Sequence, residues 1–207
     1  DSHLDLFIAQ GHVVPQADEI PSSAGYRQPN KLLRWTEGGR YRDVTEGAGP
    51  GLLVKKSSRG AACGDLDGDG DLDLVINNID DPATILENTT PRQGNWLAVK
   101  TVGSTSNRDG FGSVVSVSAG GKTWRRRIRS AASYASQSEP YARFGLGSAT
   151  KVDQLRVLWP TGREETYPVS DVNRLITVRE TRSERSRPLA SRLTRSYLPP
   201  KATEAEQ

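Results

Sequence analysis

The segment CGDLDGDGDLDLVIN (63–77) sets Asp65, Asp67, Asp69, Asp71 and Asp73 at every second position and then runs into an apolar stretch. Carboxylates that close repel one another, and a bound divalent cation is the ordinary remedy. The spacing indicates which cation. Calcium loops take oxygen ligands from positions 1, 3 and 5, turn sharply on a glycine at 6, and add a backbone carbonyl at 7 and an oxygen at 9. Asp65, Asp67 and Asp69 occupy positions 1, 3 and 5, Gly70 position 6, Asp71 position 7 and Asp73 position 9. The expected site is therefore Ca2+ held by the side chains of Asp65, Asp67, Asp69 and Asp73 and the carbonyl of Asp71. An EF-hand would also need a bidentate Glu at position 12 and a following helix. Position 12 is Ile76, and LVI leads into a strand. Mg2+, which keeps several waters and few protein carboxylates, suits this loop less well. The competing reading is an acidic solvated turn without metal.

The other residues able to do chemistry are sparse. His3 and His12 are the two histidines; His12, in QGHVVP, has no recognisable Ser or Cys nucleophile partner and reads as structural. Cys63 precedes the loop on an apolar run and reads as a small buried residue. KTWRRRIRS (122–130) is the basic run. On a strand it places Arg125, Arg127 and Arg129 on one face and Trp124, Arg126 and Ile128 on the other. That arginine face is either a solvated surface whose charges pair with nearby acids or a binder of phosphate, acidic glycan or nucleic acid. SYASQSEP (133–140) is a polar loop that either recognises a ligand or caps the sandwich through side-chain-to-backbone hydrogen bonds. NTT (88–90) matches a glycosylation sequon.

The elements that must carry these residues read as strands. The chain has 207 residues, 34% hydrophobic and 6% aromatic, with 20 Gly and 12 Pro, a turn-rich composition that favours a β protein over a helical bundle. WLAVKTV (96–102), SVVSVSA (113–119), VDQLRVLWP (152–160) and RLITVRE (174–180) alternate apolar with polar residues as half-buried strands do. Gly120-Gly121 between two such runs signals a hairpin, and Thr161-Gly162 a second turn. Shorter apolar runs, LDLFIA (4–9), NKLLRW (30–35), DLDLVI (71–76) and ATILEN (83–88), occupy the first half. The net charge of +3 falls to +1 once the stretch from Glu180 is set aside, which argues against general nucleic-acid binding. No apolar run approaches the ~20 residues of a membrane span. The chain has no methionine and starts on Asp1, so the natural N-terminus, with any targeting signal, is expected upstream.

DSHLDLFIAQ (1–10) repeats as DGDLDLVINN (69–78), and PNKLLRW (29–35) as PATILEN (82–88). Asp1 and Asp5 then fall on ligand positions 5 and 9 of a first loop, with Ser2 where glycine belongs, so that loop does not count as an intact site. Units of this size stack rather than stand alone.

The pattern D-x-D-x-D-G-x-x-D between short strands, in SRGAACGDLDGDGDLDLVINN (58–78), resembles the FG-GAP/VCBS repeats of integrin-type β-propellers, and GGRYRDVTEGAG (38–49) resembles their inter-blade stretch. SNRDGFGSVVSV (106–117), SYASQSEPYARFGLG (133–147) and VLWPTGREE (157–165) resemble the UnbV/ASPIC domain that follows such repeats in the cartilage acidic protein family. The resemblance implies an all-β fold, with incomplete propeller blades and a calcium loop over 1–91 and a β-sandwich over 92–180; the polar, Pro-broken stretch 181–207 reads as a disordered tail or linker. The resemblance also implies secretion, a cell-surface or periplasmic location, calcium in the propeller loops and no catalytic residues. The leading expectation is a calcium-binding, non-catalytic interaction or adhesion module with a protein or glycan ligand. The alternatives are an accessory protein or enzyme of secondary metabolism or glycan processing, and a polyanion binder using the arginine strand.

Overall fold

The computed structural model describes residues 3–131 and 133–182. Asp1 of the incomplete first loop, and the tail from residue 183 onward, lie outside them. Among the described residues the chain is all-β, with no α-helix and three short 3-10 turns at Pro15–Glu19, Thr45–Gly47 and Pro50–Leu53.

The first half contains β1 (Leu6–Ile8), β2 (Gln28–Pro29), β3 (Lys31–Thr36), β4 (Arg40–Asp43), β5 (Lys55–Lys56), β6 (Ser58–Gly64), β7 (Asp73–Asn78) and β8 (Asp81–Leu86). Two three-stranded sheets result, β1-β3-β4 and β6-β7-β8, with β2 paired to β5. The internal repeat is a repeat of register. In the first sheet Leu6 faces Leu33; in the second the equivalent Leu74 faces Leu86. The carboxylate at the ninth loop position does the same job twice. Asp5 accepts the N–H of Trp35 at 2.9 Å, and Asp73 accepts that of Asn88, again at 2.9 Å. Each ties the start of one strand to the far end of its neighbour.

The second half is a sandwich of β9 (Asn95–Val102), β10 (Val114–Ala119), β11 (Lys122–Arg127), β12 (Tyr141–Gly147), β13 (Gln154–Leu158), β14 (Glu164–Tyr167) and β15 (Arg174–Arg179). One sheet runs β11-β10-β13-β14 and the other β12-β9-β15, with β15 parallel to β9. Alternation decides the facing: Val115 and Val117 on β10, Leu155 and Val157 on β13, Leu97 and Val99 on β9 and Phe144 on β12 interdigitate between the sheets. Trp159 closes one end, 1% exposed. The Gly120-Gly121 hairpin forms as the sequence predicts: both glycines have left-handed φ (55° and 76°), as a two-residue turn requires.

Candidate metal centre

The loop is wound by its own aspartates. Asp65 accepts the N–H of Gly68 (2.8 Å), Asp67 that of Asp69 (3.1 Å), Asp69 that of Asp71 (3.0 Å), and Asp73 that of Leu66 (2.8 Å). Short carboxylates reaching two or three residues on are the usual reason Asp populates tight turns. Gly68 and Gly70 supply the positive φ values, 82° and 100°, that the winding needs. One ligand oxygen each from Asp65, Asp67 and Asp73 then converges within 4.8 Å, with Asp73 buried, Asp65 half-buried and Asp67 exposed. Such a set of hard oxygen donors fits Ca2+. Asp69 is outside that trio. Its carboxylate holds the Asp71 amide instead. Burial first, then the charges of Asp69 and Asp73, raise the Asp71 carboxyl to about 6 against the pull of Arg92. One Asp71 oxygen is buried without a partner.

The sandwich reaches into this loop. Arg143 on β12 donates to Asp65 Oδ2 at 3.2 Å and to the Gly70 carbonyl at 3.2 Å, and also pairs with Glu139. Burial opposes its charge, but Glu139 and Asp65 outweigh that and raise its pKa. Trp96 on β9 packs against Gly70 so closely that a methyl group there would lie 2.1 Å from the ring. The polar loop at 133–140, which the sequence leaves open between ligand recognition and capping, lies on this contact. Ser138 Oγ bonds the Cys63 amide at 3.1 Å, and the Glu139 amide donates to the Cys63 carbonyl at 3.1 Å. Cys63 is half-buried here rather than buried, because it faces this polar loop instead of a core.

The remaining candidates have local explanations. His12 accepts the Val14 N–H at 3.0 Å and shapes its own turn. Arg125, Arg127 and Arg129 are exposed and, among the described residues, have no carboxylate partner, so the expected pairing with nearby acids does not form. Arg126 turns inward over the Phe144 ring, 5.9 Å from its centroid. Sequence reading missed Glu180. Buried at 5% exposure, its carboxylate gathers the amides of Ser104, Thr105 and Ser106 at 2.7–2.9 Å. A lone acid at a strand end, 74 to 76 positions from those amides, carries no sequence signal of that role. Among the described residues no helix is long and apolar enough to cross a membrane.

Propeller-type strand repeats carrying an aspartate loop, joined to a seven-stranded sandwich, define the class. The comparisons agree with it. Residues 1–76 match the model of the FG-GAP-like repeat, and residues 103–185 that of the ASPIC and UnbV domain. The chain is 30% identical over 163 residues to cartilage acidic protein 1 of Xenopus tropicalis, covering 72% of this chain and 24% of that protein. The chain thus spans about a quarter of the length of that relative. It carries an FG-GAP-like repeat followed by an ASPIC and UnbV domain, the arrangement that its similarity to cartilage acidic protein 1 accompanies.

Proposed function

We propose that this chain is a calcium-stabilised, non-catalytic part of an extracellular interaction module, with a protein or glycan ligand at the cell surface. The observation that carries it is the convergence of Asp65, Asp67 and Asp73 on a loop that feeds directly into β7. Ca2+ would take those three side chains, the Asp69 side chain in exchange for its bond to the Asp71 amide, and the Asp71 carbonyl. Its role is structural: it screens five clustered carboxylates and fixes the turn that delivers Leu74, Val75 and Ile76 to the sheet. The FG-GAP-like match and the relationship to cartilage acidic protein 1 support the extracellular, adhesion-type setting. With a Kd of about 0.1 mM and about 2 mM free Ca2+, linkage contributes roughly 1.8 kcal/mol. A chelator should lower the melting temperature by several degrees. Asp67→Ala and Asp69→Ala should remove that dependence, and Asp80→Ala, outside the loop, should keep it. Calorimetry with no Ca2+ binding at millimolar concentration would sink the reading.

A second reading, recognition of an acidic glycan, is favoured by the outward Arg125 and Arg127, which have no carboxylate partner among the described residues. Retention on heparin beyond ~0.2 M salt that Arg125→Ala/Arg127→Ala abolishes would support it; elution below that salt would reject it.

A further inference from the structure

We propose that Arg143 and Trp96 of the sandwich are positioning residues of the calcium loop, so that binding Ca2+ and seating the blade on the sandwich are one cooperative event. This rests on the calcium reading above.

The contacts fall at the first position of the loop and at its central turn. Arg143 holds the carboxylate at ligand position 1 (Asp65) and the carbonyl at position 6 (Gly70) with one guanidinium, and Arg92 donates to the carbonyl at position 5 (Asp69). Sandwich-side groups therefore fix the backbone at positions 5 and 6 while the oxygens of positions 1, 3 and 9 converge. Glu139 offsets the Arg143 charge, which keeps that cation from competing with the ion. The Trp96 ring is the wall. It lies against Gly70, with Arg143 and Arg92 5.7 and 6.0 Å from its centroid. Trp96 Nε1, on the ring that lies against Gly70, and one carboxylate oxygen of the adjacent Asp71 are both buried without partners, and burying either unpaired is costly. Movement of the loop at position 1 or 6 loosens Arg143, which also pairs with Glu139, whose amide donates to the Cys63 carbonyl.

Amide exchange by NMR on the full chain, with and without Ca2+, tests this. At 2 mM Ca2+ and a Kd of about 0.1 mM, openings that expel the ion become about 20-fold rarer. The expected result is a similar slowing at Gly68 in the loop and, on the sandwich side, at the Glu139 amide and the Trp96 indole N–H. In Arg143→Gln the loop should keep its Ca2+-dependent slowing while the Glu139 amide loses it. Trp96→Phe, which narrows the wall and removes the indole donor, should reduce the spread to Glu139 and serves if the first variant does not fold. Slowing confined to the loop in the native chain, or a spread that both variants leave intact, would overturn the proposal. Calorimetry on the same samples separates the two failures. Ca2+ binding without spread rejects the coupling alone, whereas no binding rejects the calcium reading and the coupling with it.

Discussion

Gly70→Ala tests how tightly the loop is seated, with Gly68→Ala as its internal control. Both glycines have positive φ, 100° and 82°, so an alanine at either pays a backbone penalty of about 1 kcal/mol. The surroundings differ. A Cβ at Gly68 meets nothing within 4 Å, whereas one at Gly70 would sit 2.1 and 2.2 Å from Cζ2 and Cε2 of Trp96. A flat indole cannot fold away as a flexible chain end can, so overpacking adds roughly 1–3 kcal/mol. The sums are about 1 kcal/mol for Gly68→Ala and about 2–4 kcal/mol for Gly70→Ala. For a chain of this size that corresponds to melting shifts of about 3 °C and about 6–12 °C. Urea and thermal unfolding of both variants supply the numbers. In a Trp96→Ala background the Gly70→Ala penalty should fall to that of Gly68→Ala, a coupling a double-mutant cycle reads directly. Equal effects of the two glycine variants, or no relief in the Trp96→Ala background, would refute the close seating of loop on sandwich.

Other outcomes follow from the same structure. Burial raises the Glu180 carboxyl, but the amides of Ser106, Ser104 and Thr105 and the Ser106 hydroxyl outweigh it and hold the pKa at about 2, below the ordinary 4.5. Its contribution is therefore present above about pH 4.5 and lost as pH falls toward 2. After allowance for screening it is about 1–2 kcal/mol, and Glu180→Gln should remove that part of the acid dependence in urea titrations at pH 6 and pH 3. Leu155→Ala, fully buried between the sheets, should cost roughly 2–5 kcal/mol, while Ile85→Ala, 66% exposed, should stay within about 0.5 kcal/mol; equal losses would contradict the assigned core. A fragment of residues 92–180 should give a dispersed NMR spectrum, because its apolar cluster draws only on residues 97–178. A collapsed spectrum would mean the two halves fold as one unit.

Much of the architecture was legible because it is written in local patterns. Alternation along 96–102, 113–119 and 174–180 dictates strands, since a half-buried strand can satisfy only one face with apolar side chains. Paired glycines at 120–121 dictate a hairpin, and the spacing of five aspartates with Gly70 dictates a wound acidic loop. Even the register of the repeat was implicit, because Leu6 and Leu33 stand where Leu74 and Leu86 stand in the second copy. What the chain could not declare in one dimension is who meets the loop. Arg143 and Trp96 lie 78 and 31 positions from Asp65, in strands whose sequence patterns are explained without it. Their meeting depends on how β9 and β12 are turned toward the blade, which is set by the packing of the whole sandwich. The same holds for Glu180, whose three amide partners are assembled only when β15 docks parallel to β9. Side-chain type and spacing determine local winding, whereas contacts across 70 residues are determined by the sheets that carry them, because only a packed core holds distant backbone segments at hydrogen-bond distance.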